Sequence, residues 1–239
     1  MSTRPRKSES ASSASRSQQV TSAMEDYLKA IYRLEGEDGV VSMAQVTGEL
    51  NVRGASVTNM LKRMSDLRLV DYEPYKGVSL TDSGRKIALE IVRHHRLLEL
   101  YLSESLGMPW HEVHAEAELL EHHLSDELEA RMDSALGFPT HDPHGDPIPS
   151  PDLVLPGESG IDLTLVEPGQ SATVSRVSDR NPEQLEYLGT LGLYPGAQVA
   201  VIERMPFEGP LRIRVGDHEA VLGPALARQV VVSLSEAQR

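Results

Sequence analysis

Apolar residues recur at helical spacing from Met24 onward. In MEDYLKAIYRLEGEDG, Tyr27, Leu28, Ile31 and Leu34 fall on one face ahead of a Gly-bearing turn, which predicts a helix with a buried stripe. The next stretch, SMAQVTGELNVRGASVTNMLKRMSDLRLVDY, predicts a short helix starting after Ser42, a turn around Asn51 to Gly54, and a second helix to about Leu67. Val57, Met60, Leu61 and Met64 line one side of that second helix, with Ser56, Asn59 and Arg63 on the other, the form of a helix-turn-helix. Two β-rich runs flank Pro74 to Gly77 in LVDYEPYKGVSLT and predict a two-stranded wing.

Thr81-Asp82-Ser83-Gly84 reads as the cap of a long helix running to about Gly107, and a further helix is expected from about Trp110 to Leu136. Leu89, Val92, Leu97, Leu100 and Leu102 supply more apolar surface than one small domain needs, so a dimer interface is expected. FPTHDPHGDPIPSPD is too rich in Pro and Gly for helix or strand and reads as a loop or boundary. From Ile161 to Leu234, short β-like runs (SATVSRV, AQVAVIER, LRIRVG, EAVLG, RQVVVSL) alternate with Gly- and Pro-bearing turns, which predicts a small barrel of SH3 size. The expected class is α+β: an N-terminal winged helix-turn-helix, a helical dimerisation domain and a C-terminal small SH3-like β-barrel. The expected boundaries are 1–20 for a disordered basic arm, 21–90, 91–152 and 160–235.

Composition narrows the chemistry. The chain has no cysteine, which excludes disulfides, thiolate zinc sites and iron–sulfur clusters and suits a reducing cytoplasm; any metal must be held by N and O ligands. No apolar run reaches the ~18 residues of a membrane span. A net charge of −13 argues against a nucleic-acid partner, but its distribution reverses that inference. Residues 1–90 carry 13 basic and 12 acidic side chains, whereas residues 91–239 carry 10 and 24.

Six of the nine histidines lie between positions 94 and 123. In HEVHAEAELLEHH, His114, Glu118, Glu121 and His122 are spaced i, i+4, i+7, i+8 and share a helical face. Carboxylates at such spacing repel unless a cation lies between them. On the preceding helix His95 and Glu99 form an i, i+4 pair, and Asp26 is available on the first helix. This hard, oxygen-rich set suits manganese(II) or iron(II) better than zinc or copper. HEVH is not the zincin H-E-x-x-H, and neither a nucleophile triad nor a phosphate loop accompanies it, so no enzyme and no small organic substrate are expected.

These features together resemble the diphtheria-toxin-repressor and manganese-transport-regulator family. MEDYLKAIY is similar to the family's first helix, HHRLLE to its ancillary-site helix and HAEAELLEHHLSDELE to its principal metal helix. PHGDPIP resembles the motif after the dimerisation domain, and residues 161–234, with LGLYPG, resemble the appended ferrous-transport-A-type SH3 domain. The resemblance implies a primary site of Asp26, Glu118, Glu121 and His122 and an ancillary site of His95, Glu99 and His114, with Glu183 and Gln184 the nearest candidates for further ligands from the SH3-like domain. Iron-responsive members carry Met at the position of Asp26 and Cys at that of Glu118; the carboxylates here favour manganese, with iron the alternative. Lys29 stands where paired-metal manganese regulators carry another Glu. Also implied are DNA contacts from Arg53, Ser56, Thr58, Asn59 and Lys76, a homodimer on palindromic operator DNA, and control, as a repressor, of metal-transport genes. A metal-buffering adaptor without operator binding is the alternative from another class.

Overall fold

A computed structural model describes residues 20–35, 39–157 and 160–234. The arm expected over residues 1–20 lies outside these, except for Val20. The chain divides into two compact units between Val92 and Arg93.

In the first unit, α1 (Ser22–Leu34), α2 (Met43–Leu50) and α3 (Gly54–Asp66) precede the hairpin β1 (Val70–Glu73) and β2 (Gly77–Leu80). Met24, Leu28 and Ile31 from α1 meet Val46 of α2, Val57, Leu61 and Met64 of α3, and Val70 and Val78 of the wing in one buried cluster. Ser42 and Gln45 form a reciprocal capping box at the start of α2. Its end is set by Asn51 in the left-handed conformation, φ 50°, which asparagine tolerates better than most residues. Antiparallel register pairs Val70 with Leu80 and Glu73 with Gly77, while Val41 bridges to Val78 and broadens the wing's base.

Thr81 starts α4 (Asp82–Leu106), accepting the Gly84 N–H at 3.1 Å through its hydroxyl oxygen. The second unit contains α5 (Val113–Leu120), a 3-10 turn (Glu121–His123) and α6 (Asp126–Ala135). The single helix expected from Trp110 to Leu136 is therefore interrupted. Leu124 is extended, and the Ser125 hydroxyl restarts the helix by accepting the Leu128 N–H.

The rest forms a six-stranded antiparallel sheet in the order β3-β8-β4-β5-β6-β7. Its strands are β3 (Ile161–Asp162), β4 (Ser171–Val177), β5 (Gln198–Arg204), β6 (Leu211–Val215), β7 (His218–Leu222) and β8 (Val230–Leu234). Between β4 and β5 lies α7 (Pro182–Thr190), a helix the strand pattern did not foretell; Asn181 caps it and Pro182 stands in its first turn. A short helix, α8 (Pro224–Ala227), precedes β8. Alternate residues of β4, β5, β6 and β8 enclose the barrel core with Leu185 and Leu188 of α7.

Gly84 tests how tightly α4 enters the first unit. A Cβ there would lie 2.0 Å from the Leu69 carbonyl oxygen and 3.2 Å from a Leu28 methyl. Alanine would gain about 1 kcal/mol in helix propensity, against about 1–3 kcal/mol for overpacking onto backbone. Gly84→Ala should therefore be less stable, by up to ~2 kcal/mol, in chemical denaturation; greater stability would refute this packing.

Candidate metal centre

In the second unit the histidine-bearing helices meet through buried polar groups. His95, Glu99 and Glu121 are 1%, 0% and 0% exposed, a burial that ionisable groups tolerate only when partnered. His95 Nδ1 lies 2.6 Å from Glu121 Oε2 and 3.7 Å from Glu118 Oε1. Its Nε2 lies 2.9 Å from Glu99 Oε1 and 3.1 Å from His114 Nδ1. The i, i+4 pair of α4 thus faces α5 and the 3-10 turn as the spacing predicts.

The 3-10 turn alters the expected common face of His114, Glu118, Glu121 and His122. Glu121 is swung inward against His95, His122 is half-buried beside it, and His123 is exposed. A second anchor comes from His94, whose Nδ1 lies 3.1 Å from the Glu121 carbonyl oxygen and whose Nε2 lies 3.3 Å from Glu129 on α6. Glu129 also binds Arg93, which reaches Asp133 at 2.9 Å and the Pro149 carbonyl at 2.8 Å.

Three residues the sequence reading did not select converge on Glu99. Asp142 and His144 come from the Pro- and Gly-rich segment, which is a buried element of the site and not merely a boundary. Asp179 comes from the connection between β4 and α7. His114 Nδ1 lies 3.1 Å from both Glu99 Oε1 and Asp179 Oδ2, and donor atoms of His95, Glu99, His114 and Asp179 all fall within 4.8 Å of one another. Those of Glu99, Asp142 and His144 do likewise, all three residues being buried. Glu99 Oε2 and His144 Nδ1, 3.6 Å apart, have no hydrogen-bond partner among the described residues. An unpartnered carboxylate oxygen beside an unpartnered imidazole nitrogen, in a buried set of such groups, fits a divalent cation.

The Asp142 loop is built to point inward. Asp142 Oδ1 accepts the main-chain N–H groups of His144 at 2.8 Å and Asp146 at 2.9 Å. Gly145, at φ +89°, lies so close to β4 that a Cβ would be 2.1 Å from the Ser175 carbonyl oxygen. The Val177 N–H donates to the His144 carbonyl at 2.9 Å. Asp146 receives Arg96 of α4 at 3.4 Å and Arg176 of β4 at 3.2 Å.

Glu183 and Gln184 do not reach this cluster. Glu183 is exposed in the first turn of α7, and the Gln184 side-chain oxygen is bonded to Gln229. Asp179, three residues before α7, occupies the position sought for them, because the helix turns their side chains elsewhere. Its sequence signal was only an acid just after a β-like run.

Electrostatics reflect concentrated charge. Burial opposes ionisation of Glu99, but His95, His114 and His144 together hold its carboxyl well below the usual range. Burial alone would lower His114; hydrogen bonds to Asp179 and Glu99 outweigh it and raise the imidazole to about 10. His144 is likewise lowered by burial yet raised overall to about 9 by Glu99, Asp142 and the Trp110 carbonyl. Burial would raise Asp179, but His114 brings it down to about 2. Asp142 is pushed well up by burial and by the nearby Glu99 and Asp146.

In the first unit Asp26 is half-buried on α1, and Lys29 is buried. Arg53, at the N-terminus of α3, is exposed with Ser56 and Asn59. Thr58 donates its hydroxyl back to the Gly54 carbonyl at 3.0 Å. At the wing tip Lys76 is exposed and pairs with Glu73 at 2.6 Å.

Residues 19–78 match the family model for the iron dependent repressor N-terminal DNA binding domain, residues 81–150 that for its metal binding and dimerisation domain, and residues 161–234 the FeoA domain. The iron-dependent repressor IdeR of Mycobacterium leprae (strain TN) is 33% identical over 213 residues, spanning 84% of this chain and 91% of the relative. The diphtheria toxin repressor of Corynebacterium efficiens (strain DSM 44549 / YS-314 / AJ 12310 / JCM 11189 / NBRC 100395) is 34% identical, spanning 74% and 82%. A solved manganese-dependent transcriptional repressor in complex with manganese superposes with a TM-score of 0.81 at 37% identity, covering 89% of this chain and all of that one. The manganese regulator SloR gives 0.71 at 31%, covering 89% and 98%. Among the described residues no helix is long and apolar enough to cross a membrane.

The raised imidazoles set a pH window. His144 and His114, at about 9 and about 10 against an ordinary 6.5, stabilise the ion-free fold fully below pH ~6.5, and that contribution is lost as pH rises through their folded values. Asp179, lowered from 3.8 to about 2, contributes above the ordinary value and loses its effect as pH falls toward 2. The unfolding midpoint of chelator-treated protein should fall between about pH 7 and 10, and the fall should be shallower in a His114→Gln/His144→Gln variant. An identical profile in both proteins would contradict the assignment.

Proposed function

The chain belongs to the iron-dependent repressor family of metal-dependent, DNA-binding transcriptional repressors, which are not enzymes, and from that premise we propose that its co-repressor is manganese(II). The observation that carries this reading is the donor set. It is all carboxylate and imidazole, in a chain without cysteine, and hard oxygen ligands suit manganese. Iron(II) is the competing reading, favoured by the name of the mycobacterial relative.

Two centres are proposed. Glu118, Glu121 and His122 form the first, with Asp26 assigned to it by the family resemblance alone. The second is centred on Glu99, with His95, His114 and Asp179 as one set of donors around it and Asp142 and His144 as another. A divalent ion at either would supply the positive charge that these carboxylates lack. His95, hydrogen-bonded to both Glu121 and Glu99, orients one carboxylate of each set. Because the histidines must shed protons to ligate, manganese affinity should rise with pH.

The remaining steps follow the family's plan. The proposal has a homodimer presenting two α3 helices to a palindromic operator, in successive major grooves. Ser56 and Asn59 lie on the exposed side of α3 for base or phosphate contact, and Arg53 and Lys76 serve phosphates. The internally bonded Thr58 hydroxyl leaves its methyl as the better contact. Metal-transport genes in the cytoplasm are the proposed targets. If metal and DNA are coupled by the typical 1–3 kcal/mol, each should change the other's affinity about 5- to 150-fold.

Operator binding should therefore be measured with manganese, iron and zinc side by side under anaerobic conditions, using the DNA upstream of the protein's own gene and of neighbouring metal transporters. Manganese should give the largest stimulation. Asp26→Ala and Glu118→Ala should each remove it, about tenfold or more, with circular dichroism unchanged. Iron stimulating more strongly would favour the iron reading; no binding with any metal would favour a buffering adaptor. In the same assay Arg53→Ala should weaken binding and reduce the salt slope by about 1; an unchanged slope would remove Arg53 from the phosphate contacts.

A further inference from the structure

Trp110 is the chain's only tryptophan, and it lies outside regular helix, in the connection between α4 and α5. Its main-chain carbonyl lies 2.7 Å from His144 Nε2. A carbonyl can only accept, so Nε2 keeps its proton, and when the imidazole sheds its other proton to ligate, the lone pair is left on Nδ1, the nitrogen 3.6 Å from Glu99. A ligating histidine is commonly fixed in this way, through a hydrogen bond made by its other nitrogen.

The indole itself is held from the barrel. Its ring centroid lies 4.7 Å from that of Tyr194 and 5.6 Å from that of His144. It packs at the edge of the barrel core. Gly189, near the end of α7, leaves room for it: a Cβ there would lie 2.8 Å from the Tyr194 hydroxyl and 3.1 Å from Trp110 Nε1.

We propose that Trp110 is a positioning residue for the second metal centre: wedged against Gly189 and Tyr194, it places the carbonyl that sets the ligand nitrogen of His144. The barrel then acts on this centre twice, directly through Asp179 and at one remove through the indole. The inference rests on reading the donors around Glu99, with His144 among them, as a metal centre.

The test is a manganese titration of the full-length protein, followed by calorimetry and by the electron paramagnetic resonance of free manganese. Trp110→Phe keeps a ring in the wedge, Trp110→Ala empties it, and Gly189→Leu fills the space the indole occupies while improving helix propensity at that position. Wild type should bind two ions per subunit. Trp110→Ala and Gly189→Leu should keep the first within about twofold and bind the second at least tenfold more weakly, the usual scale for losing a ligand's outer partner. Trp110→Phe should restore most of the second affinity. In Gly189→Leu the single tryptophan's emission should shift to the red.

If wild type binds one ion, the second centre fails and the proposal falls with it. If wild type binds two and both disruptive variants match it, the centre stands and the positioning role is refuted. Loss of both ions in Gly189→Leu, or no rescue by Trp110→Phe, would also refute it, by showing general packing in place of a selective effect. Should Trp110→Ala fail to fold, Gly189→Leu decides alone.

Discussion

The second unit is organised around a carboxylate that has no business in a protein interior unless positive charge surrounds it. Glu99 is fully buried, and removing an unpartnered ion from water costs several kcal/mol even after relaxation. Three imidazoles offset that cost: His95 from the same helix, His114 from α5 and His144 from the Pro-rich segment. Each arrives on a different stretch of chain, so stabilising this one group draws α4, α5 and the 142–147 loop together. His114 then carries the demand outward to Asp179, beyond the end of β4. The same density of acid and imidazole that holds the fold together is the donor chemistry a divalent ion would need.

Much of this could be read from residue order, and what could not has a common cause. The α1 stripe, the capping box at Ser42 and the wing turn are local patterns, and local patterns survive as structure. His95 and Glu99 were legible because i, i+4 spacing fixes a shared face. Asp142, His144 and Asp179 have no periodicity to betray them. They lie in irregular segments, and tertiary packing alone brings them to Glu99. PHGDPIP does carry a signal, since a histidine and an acid lie between prolines of which the fold buries Pro147 and Pro149. Glu183 and Gln184 lie apart from the cluster because PEQLEYLGT forms a helix among strands, which leaves Glu183 exposed and Gln184 bonded to Gln229.

Separation of charge along the chain also has a structural sense. The near-neutral first ninety residues include α3 and the wing, where exposed Arg53, Ser56 and Asn59 can face a polyanion without a field opposing them. The acidic excess belongs to the rest of the chain, where part of it is buried as Glu99, Glu121, Asp133 and Asp142. Buried acids of this kind are neutralised locally by Arg93, by histidines or by a bound cation, and they contribute little repulsion at the DNA surface. Net charge alone was therefore a poor guide to the partner.

The break after Leu120 explains how two clusters of acids and histidines fit on so short a stretch. In an unbroken helix Glu118, Glu121 and His122 would be presented side by side on one surface. Tightening Glu121–His123 into a 3-10 turn redirects the Glu121 side chain onto His95, and the freed Glu121 carbonyl is taken up by His94. His94 is fastened in turn to Glu129, and Glu129 to Arg93, so the interruption is held by two buried groups of α4 and by half-buried Glu129 of α6. A helix end buried with such partners is a built feature, because an unsatisfied carbonyl there would be destabilising. The distortion thus places Glu121 within reach of the imidazole that also touches Glu99, and one histidine comes to stand between the two clusters.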